Sequence, residues 1–237
     1  MGMRLIGPVY LVGGQDYNMV YLDWPANDAN VYLVDTGDMM VLVDCGCGES
    51  LSGIFRNIKE MEFDVADISH LFLTHAHLPH AGAAEAARKN DIELVAAPAA
   101  AEALRTGGPG TVAYHYDRRF APAQQVTEVG DGETIELATT EFRVRHLPGH
   151  SAGCAGYEMT VATKRLLFCG DVVRAPHLEQ HRSRLDYDRD AYVETLLKLL
   201  EDPPDVLYPG HGPFCLSHAE QWIGEELKKV LSSPVGR

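Results

Sequence analysis

The chain has 237 residues, 46% hydrophobic and 23% charged, which is enough for one sizeable core, and a single domain over residues 1–237 is expected. Its 34 Asp and Glu against 20 Lys and Arg give a net charge of −14, which argues against a nucleic-acid or anionic-membrane partner. No apolar run approaches the roughly 18 residues of a membrane span, Met1 to Gly14 shows no secretory leader, and five scattered cysteines (Cys45, Cys47, Cys154, Cys169, Cys215) read as reduced thiols, so a cytoplasmic location is expected.

Tyr17, Asn18, Tyr21 and Trp24 lie in an irregular stretch that reads as a packed or exposed loop, with a flap over a site as the alternative. Val31 to Val34 and Met40 to Val43 flank Thr36-Gly37-Asp38 and predict a hairpin. Asp44-Cys45-Gly46-Cys47-Gly48 is a glycine-rich turn, after which Ser50 caps a helix carrying Leu51, Ile54, Phe55, Ile58 and Met61 on one face. Ile68 to Leu73 is a strand that runs straight into Thr74-His75-Ala76-His77-Leu78-Pro79-His80. Ala81 to Lys89 is helical by its alanine content, and Ile92 to Ala96 returns as a short strand.

Arg105 to Pro122, which includes Tyr114-His115-Tyr116, reads as a long surface loop. Val126 to Cys169 is β-rich, with Asp131-Gly132 as a hairpin turn. Ala191 to Leu200 predicts a helix and Val206 to Tyr208 a last strand. Ser217 to Leu231 predicts a final helix, opened by the capping-box pattern Ser217-His218-Ala219-Glu220. Each half runs from strands to a helix, which predicts two sheets packed face to face with helices outside.

His75 and His77 are two apart at a strand end, so both side chains leave on one face, and His80 follows at the start of a helix. His150 in Pro148-Gly149-His150, Asp171 in Cys169-Gly170-Asp171 and His211 in Pro209-Gly210-His211-Gly212 each follow a glycine soon after an apolar β-type run. Strand-end turns of stacked sheets can converge on one edge. Imidazole suits zinc and iron, and a carboxylate can bridge two cations. His70, His115, His146 and His218 have no partner motif and read as ordinary surface or core residues.

The order His-x-His-x-x-His, Pro-Gly-His, Gly-Asp, Pro-Gly-His-Gly resembles the metallo-β-lactamase superfamily from about Asn30 to Pro213. The resemblance implies an α/β fold, the four-layer αββα sandwich of that family, with a metal site at one edge and mostly hydrolytic chemistry. His75, His77 and His150 would hold the first metal; His80 and His211 would help hold the second, bridged by Asp171. Asp171 and His211 would also be catalytic. Asp44 matches the carboxylate that lies below the first histidines. The family pattern is Thr-His-x-His-x-Asp-His, so Pro79 stands where a carboxylate binds the second metal. Proline cannot ligate, but it suits a first-turn helical position, so the fold is expected to survive with a weakened second site or a single metal.

Three histidines on zinc with an open position lower the pKa of bound water to about 7, and a zinc-bound hydroxide would attack a carbonyl while the metal stabilises the oxyanion. The first reading is therefore a metal-dependent hydrolase of a small-molecule ester, lactone, thioester or lactam. Its cofactor is zinc, one or two ions, with iron as the alternative. His177, His181 and Tyr187 are the nearby candidates for the missing carboxylate's role in handling the hydroxide's proton, and each reads equally as a loop residue. A second reading is a mononuclear iron enzyme resembling persulfide dioxygenases, with ligands from His75, His150 and Asp171 and an echo in Gly153-Cys154. Val172-Val173-Arg174-Ala175-Pro176-His177 departs from that group's signature. A third is a non-catalytic metal-binding relative. Cys169 is expected to point away from the metal, and Cys45 and Cys47 form a weak metal-type pair. Neither the identity of the substrate nor the oligomeric state is encoded in a pattern of the chain.

Overall fold

The structure, a computed structural model, describes residues 2–14, 28–178 and 186–232. Strands β1 (Met3–Arg4), β2 (Val9–Gly13), β3 (Val31–Asp35), β4 (Met40–Val43), β5 (Ile68–Phe72), β6 (Glu93–Ala96) and β7 (Thr127–Glu128) form one sheet in that order. Strands β8 (Thr134–Leu137), β9 (Thr140–His146), β10 (Ala155–Val161), β11 (Lys164–Gly170) and β12 (Val206–Pro209) form a second, ordered β12-β11-β10-β9-β8. The helices are α1 (Leu51–Glu60), α2 (Leu78–Ala81), α3 (Ala84–Arg88), α4 (Pro98–Thr106), α5 (Arg189–Glu201) and α6 (Ala219–Ser232). None of the helices among the described residues is long and apolar enough to cross a membrane.

The period-two pattern of the strands sorts their side chains into three apolar layers. Tyr32, Val34, Val41, Val43 and Phe72 of the first sheet meet Phe142, Val144, Tyr157, Leu166, Phe168 and Tyr208 of the second. The alternate residues Val31, Leu33, Leu42 and Leu71 face outward and pack with Ile54 and Ile58 of α1 and Leu104 of α4. On the far side, Leu167, Cys169 and Leu207 pack with Tyr192, Leu196 and Leu199 of α5 and Ile223 and Val230 of α6. The result is the four-layer αββα sandwich. Aromatic rings tie the two sheets: Phe72 stacks on Tyr157 at 4.7 Å between centroids. The Tyr157 hydroxyl donates to the Leu73 carbonyl at 3.1 Å.

Strand direction fixes where the chemistry gathers. β4, β5 and β6 run parallel, so Asp44 and the Thr74–His80 segment leave the same edge of the first sheet. In the second sheet β11 and β12 are parallel, and β9 runs with them because β10 is antiparallel to both β9 and β11. The turns that carry His150, Asp171 and His211 therefore open on one edge too. The Ala155 N–H donates to the Thr74 carbonyl at 2.8 Å, which brings the two edges together.

Several local expectations are corrected. Asp131-Gly132 is not a hairpin turn: it carries the chain from β7 in one sheet to β8 in the other, and the hairpin lies between β8 and β9. The predicted Ala81–Lys89 helix is two short pieces, α2 and α3, separated at Gly82 and Ala83. Arg105 to Pro122 is no simple surface loop. It ends α4, makes two 3₁₀ turns (Pro109–Thr111 and Ala113–Tyr116), and buries Thr111, Val112 and Ala113. The last helix starts at Ala219, and His218 before it has φ +60°, so Ser217 is not at its cap. Tyr17, Asn18, Tyr21, Trp24 and His181 lie outside the described residues.

Two helix starts look alike in sequence and differ in physics. Asp188 accepts hydrogen bonds from the Asp190 and Ala191 N–H groups at 3.0 Å each, whereas the Ser50 side chain stands at the cap position of α1 without such a bond. Asp188→Ala is expected to cost about 1 kcal/mol of stability, while Ser50→Ala changes it by less than about 0.5 kcal/mol. Paired urea titrations measure both; equal losses would contradict this assignment of the caps.

Candidate metal centre

The centre grows from a buried carboxylate. Asp44 ends β4 with φ +61°, and its Oδ1 accepts from the Thr74 N–H at 2.9 Å. Its Oδ2 accepts from Thr74 Oγ1 at 2.8 Å and from His80 Nδ1 at 2.7 Å. Thr74 Oγ1 is in turn 3.1 Å from His75 Nδ1. This network sets two imidazoles by their Nδ1 atoms and leaves each Nε2 pointing into the centre. Position 79 is the first turn of α2, where proline's missing N–H is no loss, and the Pro79 carbonyl accepts from the Ala29 N–H at 3.1 Å.

His77 is oriented from the opposite side. Its Nε2 lies 2.7 Å from Asp186 Oδ2, and its Nδ1 is 3.2 Å from His150 Nε2. The other arrivals surround Asp171: His80 Nε2 is 3.3 Å from its Oδ1, while His150 Nε2 and His211 Nε2 are 3.6 and 3.9 Å from its Oδ2. Arg174 Nη2 donates to that same Oδ2. The donor atoms of His75, His77 and His150 lie within 4.8 Å of one another, and so do those of His75, His80 and Asp171. His211 belongs to neither set; its ring centroid is 5.2 Å from that of His80.

Two motif glycines have a spatial cause. A Cβ on Gly210 would come within 2.2 Å of His80 Cε1 and 2.9 Å of Asp171 Oδ1. A Cβ on Gly170, at φ +52°, would meet Thr74 Oγ1 at 2.6 Å. The backbone must approach the ligand side chains this closely for them to meet.

The donor set suits a divalent cation of the zinc or iron type. His75, His80 and His150 are fully buried, and His75 Nε2 has no hydrogen-bond partner. Buried polar atoms are left unpaired at a cost unless something absent from the protein alone takes them. Burial, reinforced by the neighbouring His80 and His77, holds His75 well below the ordinary imidazole range, so its lone pairs stay open. Burial alone would raise the Asp171 carboxyl, but Arg174 and then His80 and His211 hold it well below the usual carboxylate range.

The remaining candidates fall elsewhere. His177 is exposed, and Tyr187 packs edge-on to Tyr192, 6.0 Å between centroids. Cys169 faces the α5–α6 layer, as its strand position predicts. Cys45 Sγ donates to the His80 carbonyl at 3.2 Å, and Cys154 pairs with Ser151 Oγ at 3.2 Å. All five cysteines are buried, and burial raises every one of their thiols, Cys154 and Cys169 to about 12. Two contributors were not singled out from the sequence. Arg174 had one signal, its place three residues after Asp171. Asp186 is 109 residues from His77 and had none. The Tyr116 phenol is raised to about 12 by burial and then by Asp171.

Comparison with known proteins places this arrangement. The family model described as metallo-beta-lactamase superfamily matches residues 24–211. The chain is 32% identical to the human acyl-coenzyme A thioesterase MBLAC2 over 212 residues, covering 78% of this chain and 73% of that protein. It is 28% identical to the hydroxyacylglutathione hydrolase GloC of Haemophilus influenzae, covering 70% of this chain and 78% of the relative. Among solved structures, BJP-1, a subclass B3 metallo-beta-lactamase of Bradyrhizobium japonicum, is 25% identical and superposes with a TM-score of 0.76, covering 96% of this chain and 89% of that one. These relatives support a hydrolase.

The imidazoles also set how the metal-free protein responds to pH. Burial outweighs the attraction of Asp171 and brings His150 down to about 3; His75 is lowered as well. For His80 burial acts in the same direction, but Asp171 and Asp44 override it and push it up to about 9. Below the ordinary value of 6.5 the unfolded chain therefore binds protons at His75 and His150 that the native chain does not, and stability falls as pH falls. Between 6.5 and about 9 the native chain holds the extra proton, at His80, and stability falls as pH rises. Chelated protein is expected to be most stable near pH 6.5, with each unmatched proton worth about 1.4 kcal/mol per pH unit. Urea titrations from pH 5 to 8.5 test this; stability that climbs steadily to pH 8.5 would contradict it.

Proposed function

The chain belongs to the metallo-β-lactamase superfamily, and we propose that it is a metal-dependent thioester hydrolase in which His75, His77 and His150 hold one divalent cation. The observation that carries the chemistry is the convergence of these three buried imidazoles, with His75 Nε2 left without a partner. The thioester class rests on two relatives whose names describe thioester substrates, an acyl-coenzyme A and a hydroxyacylglutathione. A cation at this place, when bound, supplies a water of lowered pKa and polarises a carbonyl.

The protein's own groups then have distinct duties. Asp186 accepts from His77 Nε2–H and keeps the Nδ1 lone pair turned toward His150. Asp44 and Thr74 do the same for His80 and His75. Asp171, kept ionised by Arg174, accepts an O–H from the attacking water and so orients its oxygen toward the carbonyl carbon. His211, slightly exposed at 8% and 3.9 Å from Asp171, is the group we assign to passing a proton to the departing thiolate. The net reaction forms a C–O bond, breaks the C–S bond, and releases a carboxylate and a thiol. Pro79 supplies no ligand, so the pocket of His80, His211 and Asp171 holds a second ion weakly if at all.

Thiol release from acyl-coenzyme A and acyl-glutathione tests this. Chelation is expected to lower kcat/KM at least 100-fold, on the order of the rate factor carried by one electrostatic stabiliser, and added zinc to restore it. Failure to cleave either thioester while lactones or β-lactams are hydrolysed would overturn the substrate class. Oxygen uptake by protein purified with iron would replace hydrolysis altogether. Asp186→Asn is expected to weaken zinc binding about 10- to 100-fold while leaving the melting temperature of the metal-free chain within about 3 °C; unchanged affinity would remove Asp186 from the centre.

A further inference from the structure

The hydrolytic reading uses Arg174 to keep Asp171 ionised, which does not account for its burial within the centre. Arginine is rarely taken fully into a protein interior, yet Arg174 is 6% exposed and lies inside the centre. Its Nη2 donates to Asp171 Oδ2, the oxygen that also faces His150 Nε2 at 3.6 Å and His211 Nε2 at 3.9 Å. A guanidinium thus sits on the carboxylate oxygen that a second cation would share. The surrounding charge leaves little room for both. Asp44 is taken up by Thr74 and His80, Asp186 faces the outer nitrogen of His77, and Pro79 carries no charge. Asp171 is the one carboxylate within the two donor sets among the described residues. A dication at the three histidines and the guanidinium already face that single carboxylate. A second dication would add like charge at contact distance in a site shielded from water.

We propose that Arg174 is a built-in replacement for the second metal ion: its guanidinium fixes and neutralises Asp171, so that one bound cation completes the centre. The proposal rests on the reading that His75, His77 and His150 hold that cation. Arginine suits the part because it stays charged at any working pH and holds a carboxylate through directed N–H groups. It is a positioning residue, acting through Asp171. The proline at position 79, which supplies no ligand, and the cation at position 174 then belong together.

The test counts zinc per chain by elemental analysis and follows zinc titration by calorimetry. It compares the full-length parent with R174K, R174Q, P79D and the double variant P79D/R174Q. One tightly bound zinc is expected in the parent, in R174K and in P79D, because the guanidinium or its ammonium substitute still holds Asp171. R174Q is expected to admit a second zinc weakly, and P79D/R174Q to bind it at least about 100-fold more tightly than R174Q does. A second tight ion in the parent or in P79D alone overturns the proposal, and so does a double variant that stays at one. The P79D result keeps the test decisive even where R174Q fails to fold. The two readings fail separately: one zinc in every variant removes the role of Arg174 and leaves the three-histidine centre intact, whereas no zinc in the parent removes the centre itself.

Discussion

The Asp44 carboxylate is the joint on which the rest of the centre turns. It is buried, it ends β4 in a left-handed backbone conformation, and its two oxygens take the Thr74 N–H, the Thr74 hydroxyl and His80 Nδ1. A buried carboxylate is tolerated when its lone pairs are used in full, and here they are used to tie the end of β4 to the end of β5 and to α2. Through Thr74 the same network reaches His75. Two imidazoles are thus set before any ligand arrives, which is the pre-organisation that a metal centre demands of its surroundings.

Sheet packing and site geometry share their bonds. The Ala155 N–H to the Thr74 carbonyl, the Tyr157 hydroxyl to the Leu73 carbonyl, and the Asn30 N–H to the Gly210 carbonyl all cross between the two sheets at the edge where the histidines emerge. A sandwich that slipped by one residue would therefore misplace the ligands and expose the alternate faces of its strands together. The charges in the same region follow a matching economy. Three carboxylates, two buried and one half-buried, are each answered by a donor: Asp44 by Thr74 and His80, Asp171 by Arg174, Asp186 by His77.

Much of this was legible in the chain because the chemistry is local. His75, His77 and His80 announce themselves by spacing, and the motifs at His150, Asp171 and His211 by a preceding glycine, which at Gly210 is a close approach of backbone to His80 and Asp171, at Gly170 to Thr74 and at Gly149 to Tyr192. The layer order followed from each half of the chain running from strands to a helix. What stayed hidden depends on contacts between distant segments. Asp186 meets His77 only after the sheets stack, and the role of Arg174 requires knowing what Asp171 faces. Helix α4 carries ordinary signals that went unread, Pro98 in its first turn, an alanine-rich body and Gly107 at φ +62° past its end. The Asp131-Gly132 turn looked like a hairpin because a turn residue pair says nothing about which sheet the next strand joins.

The buried thiols have a consequence for the medium in which the protein works. Exchange between a thiol and a disulfide begins with a thiolate, and every cysteine here is enclosed and held protonated by its enclosure. A small disulfide that reaches Cys47 or Cys154 meets an enclosed, protonated sulfur rather than a thiolate. Mixed-disulfide formation at these five sulfurs is thereby slowed in the native fold.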